Sequence, residues 1–266
     1  MKSRGDSLKI AREQEFDLVV VGGGIVGAGV AQNAASRGLS VLLLEKGDFA
    51  SGTSSRTTKL IHGGLRYLEQ FQFRLTRELC HERGLLEQLA PHMIKDFSFI
   101  LPVSNDKKVF GLKASLGLTI YDLLSVHARG VRRHQRLSRG DTLRAAPSLD
   151  ISRIYGGLRF HDCITDDSRV VMEVIKSACS FGALAINYLE ATGFQTTEGN
   201  ARVEAVLCRD ALTGDETVIR CRSCVNATGV WSDQLLSQVD PTWRQRVKPA
   251  KGTHIVLPLS SFETTT

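Results

Sequence analysis

Two spacings of apolar residues alternate along this chain, and each predicts a different kind of element. Continuous apolar runs at residues 16–21 and 40–46 are typical of strands buried on both faces of a parallel sheet. The small-residue stretch between them, residues 28–38, predicts a helix that ends at Gly38. Strand, helix and strand follow one another within about 30 residues, which predicts a right-handed βαβ unit.

The rest of the chain continues this mixture of helices and strands. Helical spacing covers residues 65–91, 111–124 and 168–182. Strand-like runs cover residues 97–103, 154–162, 185–192, 201–208, 216–222 and 251–258, with a turn at 211–215. Residues 1–15 are polar and charged, and we expect a leader without a place in the fold. The pattern therefore predicts an α/β protein.

Length and charge narrow the class of protein. The chain has 266 residues, so about 150 residues per domain allows either one large domain or two interleaved ones. Lys and Arg number 34 against 28 Asp and Glu, a net charge of +6. Basic residues concentrate at 129–139, where they face either solvent or an acidic surface such as phosphate or lipid. No basic stripe interleaved with aromatic residues occurs, so we predict no nucleic-acid partner.

The cysteines and the apolar run at residues 18–31 indicate the cellular compartment of the protein. The six cysteines are scattered, which favours reduced thiols packed in a reducing compartment. Cys221 and Cys224 form a single C-x-x-C without a second pair, so we predict packing and no metal site. The apolar run at residues 18–31 follows acidic residues and has 14 positions, too few for a bilayer span. We therefore expect no secretion, and any membrane contact to be peripheral.

A glycine pattern after the first strand carries the strongest chemical signal. Gly22, Gly24 and Gly27 form G-x-G-x-x-G, and Glu45 ends the next strand 21 positions after Gly24. In a dinucleotide site the glycines permit a tight turn, close approach of a pyrophosphate, and close helix–strand packing. The acidic residue accepts hydrogen bonds from ribose hydroxyls. A purely structural glycine turn is the alternative, but the ordered set of strand, glycines, helix, strand and acid favours the dinucleotide site.

Two further segments favour FAD over NAD. After Glu45 the chain continues as a loop rich in small hydroxyl residues, at 46–55, in place of the next βα unit of an NAD-type sheet. Much later, Thr228 and Gly229 end an Asn-Ala-Thr-Gly turn that follows a strand. Both features resemble the glutathione-reductase-like FAD folds, in which a later segment returns to the FAD domain.

The resemblance becomes narrow at residues 50–75. The stretch ASGTSSRTTKLIHGGLRYLEQFQFRL resembles the FAD-dependent glycerol-3-phosphate dehydrogenases, and FHDCITDDSRVV, NATGVWSD and KGTHIVLP follow in that family's order. This resemblance implies a glutathione-reductase-like FAD-binding Rossmann domain interleaved with an α+β substrate domain. The implied reaction oxidises sn-glycerol 3-phosphate to dihydroxyacetone phosphate, with hydride passing to flavin N5 and electrons to quinone. It also implies peripheral attachment at the cytoplasmic face of the membrane, and a homodimer is a further expectation.

The resemblance carries site residues onto this chain. Arg66 and Tyr67 are expected at the substrate, because the planar guanidinium suits phosphate, and His254 is expected to accept the hydroxyl proton or bind substrate. Each has an ordinary alternative: Arg66 as a surface cation, Tyr67 as a packing residue and His254 as a core histidine. The residues expected to line the flavin side of the loop are Thr53, Ser54, Ser55, Lys59, Leu60 and His62.

Family members are longer chains, which sets the expected domain layout. We expect a leader at 1–15, FAD-domain segments at 16–95 and 167–240, a substrate-domain segment at 96–166, and the start of its return at 241–266. On this layout the sequence is the front part of a larger protein, and we expect 266 residues alone to retain FAD weakly and to turn over little. Other readings are a glycerol-3-phosphate oxidase, an amino-acid oxidase, or a remnant that binds nucleotide without catalysis.

Overall fold

A computed structural model of the chain describes residues 3–125, 132–150, 152–197, 202–240 and 242–258. It divides into two compact units, residues 1–57 with 166–252 and residues 58–165 with 253–266. The helices are α1 (Arg4–Glu13), α2 (Ile25–Ser36), α3 (Leu65–Leu68), α4 (Phe73–Leu89), α5 (Lys108–Leu124), α6 (Arg139–Ala145), α7 (Asp167–Ser180) and α8 (Ser232–Leu236). The strands are β1 (Leu18–Val21), β2 (Val41–Leu44), β3 (Leu60–Ile61), β4 (Lys95–Ser104), β5 (Gln135–Leu137), β6 (Ile154–Ile164), β7 (Leu184–Ile186), β8 (Leu189–Thr196), β9 (Val203–Asp210), β10 (Glu216–Arg220) and β11 (Cys224–Asn226).

The first unit is built on a four-stranded parallel sheet with the order β11-β1-β2-β7. Its central strands are buried on both faces, as their continuous apolar runs predicted. Val19 and Leu42 belong to one core cluster, while Val20 and Leu43 belong to the cluster that includes alanines of α2 and residues of α7. Small side chains on α2 let that helix approach the sheet closely. The predicted α/β class and βαβ unit are confirmed.

The predicted leader is instead a helix of this unit. Ser3 caps α1 by accepting a hydrogen bond from the Asp6 N–H, and Ser7 and Ala11 are buried. Arg4 donates to Asp210 at 2.9 Å, which joins the helix to the end of β9. The polar composition of residues 1–15 did not predict this helix, because its attachment to the fold depends on partners about 200 positions away in the sequence.

The strand predicted at 185–192 is two strands. Tyr188 adopts a φ of +53°, which interrupts the extended backbone. Before it, β7 completes the parallel sheet; after it, β8 pairs antiparallel with β9, and β9 pairs with β10 across the predicted turn. The one run of apolar residues therefore serves two different sheets.

The second unit has an antiparallel sheet with the order β3-β6-β4, and β5 also pairs with β6. Helices α4 and α5 pack against each other and against α3. Part of the basic cluster, residues 129–131, lies outside the described residues.

Two expectations about this part of the chain differ from the structure. The first segment of the first unit ends at Thr57, not at 95, because β3 pairs with β6 and α4 packs against α5 within the second unit. Residues 251–258 form no strand; Ile255 and Val256 are 81% and 93% exposed. A strand forms only where a second strand accepts its backbone hydrogen bonds, and the described residues offer none to this segment.

Candidate dinucleotide and substrate sites

The glycine loop lies between β1 and α2, at the carboxyl edge of the parallel sheet. Gly22 has a φ of +114°, and a side chain there would collide with the Ala227 carbonyl group. A side chain at Gly27 would collide with the Gly22 carbonyl oxygen. Strand, loop and helix therefore come together only with glycine at both positions, which confirms the predicted tight turn and close packing.

The start of α2 provides donors for an anion. Gly24 caps the helix without a side-chain hydrogen bond, and the Ile25 N–H donates to Ser54 Oγ at 3.0 Å. The first N–H groups of a helix have no partner within it, and the helix dipole makes this end partly positive. The Ile25 and Val26 side chains are 43% and 65% exposed, so this end of the helix is open to a ligand.

Glu45 joins the two loops at the edge of the sheet. One carboxylate oxygen accepts from the Gly23 N–H at 2.7 Å, and the other accepts from the Gly47 N–H at 2.8 Å. A carboxylate has about four lone-pair positions, so about two remain for ribose hydroxyls. Glu45 is partly buried beside the glycine loop, where the G-x-G-x-x-G pattern predicts a ribose.

The hydroxyl-rich loop closes over the same edge. Ala50 N–H donates to the Gly23 carbonyl at 3.0 Å, and Ala50 has a φ of +62°. Residues 53–55 form a short 3₁₀ turn that places Ser54 on α2. The Trp231 ring lies against Gly52, and the Lys46 ammonium lies 4.4 Å from the ring centre.

The late Thr-Gly turn also lies at this edge. A side chain at Gly22 would touch the Thr228 backbone as well as Ala227, and Gly229 has a φ of +60°. Thr228 is held by its own loop, since its hydroxyl donates to Asn226 Oδ1 at 2.6 Å. The structure therefore brings together the predicted cofactor residues of the first unit, namely Gly22, Gly24, Gly27, Glu45, Thr53, Ser54, Ser55, Thr228 and Gly229.

These residues fit the adenosine-diphosphate part of a dinucleotide. Glycines leave room for a backbone approach, an open helix end supplies N–H donors, and a carboxylate lies at the predicted ribose position. At Gly22 and Gly27 the neighbouring backbone leaves no room for a larger residue.

Five further predicted residues lie in the second unit, around the turn between β3 and α3: Lys59, Leu60, His62, Arg66 and Tyr67. Gly64 has a φ of +76°, and a side chain there would collide with the Tyr67 ring. The His62 Nδ1 accepts from the Gly64 N–H at 3.1 Å. His62 and Arg66 are exposed and Tyr67 is partly buried. Lys59 and Leu60 precede this turn, and the Lys59 carbonyl accepts from the Thr165 N–H.

A buried polar cluster beneath this turn was missed from the sequence. Arg83 and Asp162 form an ion pair, and Tyr121 contacts both; their exposures are 4%, 6% and 2%. Burial raises the pKa of Tyr121, and the Asp162 charge raises it further. Burial by itself lowers the pKa of Arg83, while the charge of the Asp162 carboxylate and its hydrogen bond raise it, and the pKa is raised overall.

A signal for this cluster exists in the sequence. Thr76, Cys80 and Arg83 follow helical spacing and share the buried face of α4. A charged residue on such a face needs a buried partner. The partner is on β6 and the bridging phenol on α5, which the sequence alone does not pair.

His254 lies in the exposed segment 251–258. The structure does not bring it to Arg66 or Tyr67, and the alternative of a core histidine is wrong because the residue is exposed. Its predicted role stays a prediction.

Metal-binding clusters and membrane-spanning helices are absent from the described residues. In the described parts of the chain, no three His, Cys, Asp or Glu side chains cluster in a way that could hold a metal ion. Over the same residues, no helix combines the length and the apolar character that crossing a bilayer demands. The six cysteines are free thiols.

Comparisons with known proteins give a consistent result. Residues 17–265 match the family described as FAD dependent oxidoreductase. The chain is 42% identical over 246 residues to a glycerol-3-phosphate dehydrogenase of Mycobacterium leprae, covering 92% of this chain and 41% of that protein. It is 38% identical over 265 residues to an alpha-glycerophosphate oxidase of Streptococcus pneumoniae, covering 98% of this chain and 43% of that protein. The chain thus spans about two fifths of the length of these curated relatives.

Solved structures agree on the fold. The glycerol-3-phosphate dehydrogenase of Bacillus halodurans complexed with FAD matches with a TM-score of 0.69 at 31% identity, covering 89% of this chain and 39% of that one. An L-proline dehydrogenase from P. horikoshii matches with a TM-score of 0.66 at 22% identity, covering 87% of this chain and 57% of that one, which indicates a shared fold only.

Proposed function

The chain belongs to the family of FAD-dependent oxidoreductases, and from this membership we propose that it acts on sn-glycerol 3-phosphate, oxidising it to dihydroxyacetone phosphate. The observation that carries the proposal is the similarity over more than nine tenths of the chain to proteins named for this substrate, both a dehydrogenase and an oxidase. The dinucleotide site supports the cofactor half of the proposal independently.

FAD, when bound, accepts the hydride that leaves C2 of the substrate. The chain's own residues then have separate tasks. Arg66 is exposed at the start of α3, and its planar guanidinium is suited to two hydrogen bonds to a phosphate. Tyr67 packs against Gly64 and holds the first turn of the helix beside Arg66. His254 carries an imidazole nitrogen that can accept a proton, so it suits removal of the C2 hydroxyl proton.

We assign the electron acceptor as a membrane quinone, which requires a surface that meets lipid. Helix α5 has such a surface, the α5 stripe, defined as Val109, Leu112, Leu116 and Leu123. These side chains are 63–69% exposed and share one face of the helix by their spacing. The opposite face, with Leu118 and Tyr121, is buried.

Positive charge lies beside part of the α5 stripe. Lys108 and Lys113 lie one position from Val109 and Leu112 and are exposed. Arg136 Nε on β5 donates to Ser115 Oγ at 2.9 Å, which places this guanidinium beside the helix. Exposed apolar residues with flanking cations suit an acidic lipid surface. This supports peripheral attachment at the cytoplasmic face. A homodimer stays a prediction that no described contact tests.

The decisive experiment uses the FAD-loaded protein. Anaerobic addition of sn-glycerol 3-phosphate should bleach the flavin absorbance, while glycine and proline should not. Bleaching by an amino acid alone would favour the amino-acid oxidase reading. A colourless protein that cannot be loaded with FAD would favour the non-catalytic remnant.

A second assay distinguishes the two candidate electron acceptors, quinone and oxygen. Reduction of a soluble quinone with little oxygen uptake supports the dehydrogenase. Rapid oxygen uptake, with hydrogen peroxide formed, would assign the oxidase reaction instead.

A further inference from the structure

The turn at Gly63 and Gly64 rests on the buried Arg83–Asp162–Tyr121 cluster. Gly63 N–H donates to Tyr121 Oη at 2.7 Å, and Asp162 Oδ1 lies 3.3 Å from the same nitrogen. A side chain at Gly63 would collide with Tyr121 and Cys80. The glycine therefore lets the backbone reach the cluster, and the cluster in turn satisfies the buried backbone donor.

Every hydrogen-bonding position of the Tyr121 hydroxyl is occupied. It donates to Asp162 Oδ1 at 2.7 Å and accepts from Gly63 N–H and from Arg83 Nη1, the latter at 3.1 Å. A hydroxyl has one donor and two acceptor positions, so all three are occupied. Because burial raises its pKa, the phenol stays protonated and keeps its donor. This hydroxyl is the point where α4, α5, β6 and the turn meet.

A buried ion pair is an inefficient way to stabilise a fold. Removing two charges from water offsets much of their attraction, and well-packed apolar residues of similar volume are often as stabilising. Buried polar groups do, however, restrict geometry, because their hydrogen bonds accept few directions. Here the restricted element is the backbone directly before α3, which carries Arg66 and Tyr67.

We propose that Arg83, Asp162 and Tyr121 are positioning residues, which fix the Gly63–Gly64 turn and thereby aim Arg66 and Tyr67 at the phosphate of the substrate. The proposal rests on the proposed function and adds residues to it. The cluster touches neither substrate nor cofactor in this scheme; it acts through the backbone of Gly63.

Tyr121→Phe tests the proposal with the least disturbance, because it removes one oxygen and leaves the Arg83–Asp162 ion pair in place. We expect the KM for glycerol 3-phosphate to rise about 10-fold while kcat stays within about 2-fold. A displaced Arg66 would bind the phosphate more weakly in the ground state and in the transition state alike. Amide exchange should accelerate in peptides covering residues 60–68. Tyr155→Phe is the matched control, since Tyr155 is 55% exposed in the same unit and should change neither quantity.

Hydrogen exchange separates positioning from general stability. Exchange that accelerates at residues 60–68 and stays unchanged in β4 and β6, with a raised KM, supports positioning. Exchange that accelerates throughout the second unit with KM unchanged would assign the cluster a structural role and overturn the proposal. No change at residues 60–68 would overturn it as well.

The experiments distinguish failure of the proposed function from failure of the positioning role. If the wild-type protein does not oxidise glycerol 3-phosphate, the proposed function is lost, and exchange at residues 60–68 in Tyr121→Phe still decides whether the cluster holds the turn. If the wild type is active and Tyr121→Phe keeps its KM, only the positioning role is lost.

Discussion

The carboxylate of Glu45 accepts a hydrogen bond from the backbone N–H of Gly23 at 2.7 Å. The predicted ribose-binding residue thus also holds the glycine loop in place. Its second oxygen is bound to Gly47 N–H, so a single side chain joins the loops that follow β1 and β2. The carboxylate that fixes the shape of the loop is therefore also the one predicted to recognise the cofactor.

Glu45→Gln is therefore expected to weaken FAD binding by about 10-fold or more, because an amide nitrogen would face one of the two N–H donors and leave it unsatisfied. Titration of the apoprotein by flavin fluorescence measures the dissociation constant. Glu204→Gln, at an exposed position of β9, is the control and should leave it unchanged. Equal affinities for the wild type and Glu45→Gln would show that this carboxylate does not take part in binding.

Two glycines of α2 provide a paired test of the close packing. Gly27→Ala places a methyl group against the Gly22 carbonyl oxygen, and we expect a loss of about 1–3 kcal/mol of unfolding free energy together with reduced FAD retention. Gly29→Ala meets no atom within 4 Å and should be neutral or stabilising by up to about 1 kcal/mol. Denaturant unfolding of both variants checks this, and similar stabilities would contradict the packing argument.

Arg66→Lys tests the phosphate role. Lysine keeps the charge but cannot form the two parallel hydrogen bonds of a guanidinium, so we expect KM for glycerol 3-phosphate to rise about 10-fold or more with FAD content unchanged. Steady-state kinetics measure the effect. Arg77→Lys, exposed on α4, is the matched control. An unchanged KM in Arg66→Lys would leave Arg66 as a surface cation.

The α5 stripe is expected to carry lipid binding. Replacing Leu112 and Leu116 with serine removes two apolar side chains that are 64% and 63% exposed, and should reduce sedimentation with acidic phospholipid vesicles about 10-fold or more. Leu212→Ser removes a side chain of similar exposure, 61%, from the other unit and serves as the control. Vesicle binding that survives the double substitution would assign contact to another surface. Loss of self-association with vesicle binding unchanged would assign the stripe to a dimer.

The Arg4–Asp210 ion pair predicts a pH dependence of stability. The hydrogen bond from Arg4 lowers the pKa of Asp210. A lowered pKa in the folded state stabilises the protein above the unfolded value of about 3.9, and this contribution is lost as the pH falls through the folded value. Asp210→Asn should therefore lower Tm near neutral pH, and the difference from wild type should shrink below about pH 4. Asp215→Asn, exposed in the same hairpin, is the control. A difference that is constant down to pH 3 would contradict the assignment.

Much of the dinucleotide site was predictable because its determinants are local. Strands β1 and β2 carry continuous apolar runs, and between them Gly22 and Gly27 occupy positions where backbone atoms leave no room for a side chain. The Thr-Gly turn lies far from the glycine loop in sequence, and the place of this turn and of the hydroxyl-rich loop was indicated by resemblance alone. The structure adds the contact that joins the hydroxyl-rich loop to α2, a hydrogen bond from the Ile25 N–H to Ser54 Oγ.

The sequence by itself determined the elements whose residues contact near neighbours, and therefore the α/β class and the glycine loop. Only the tertiary structure decided that residues 4–13 form a helix held by Asp210, that Tyr121 supports Gly63, and that residues 251–258 have no strand partner among the described residues. Apolar spacing reports which face of an element is buried, but not which distant element covers it. The distant partner decides where a buried charge can lie and whether a segment forms a strand, because the hydrogen bonds of both join residues far apart in the chain.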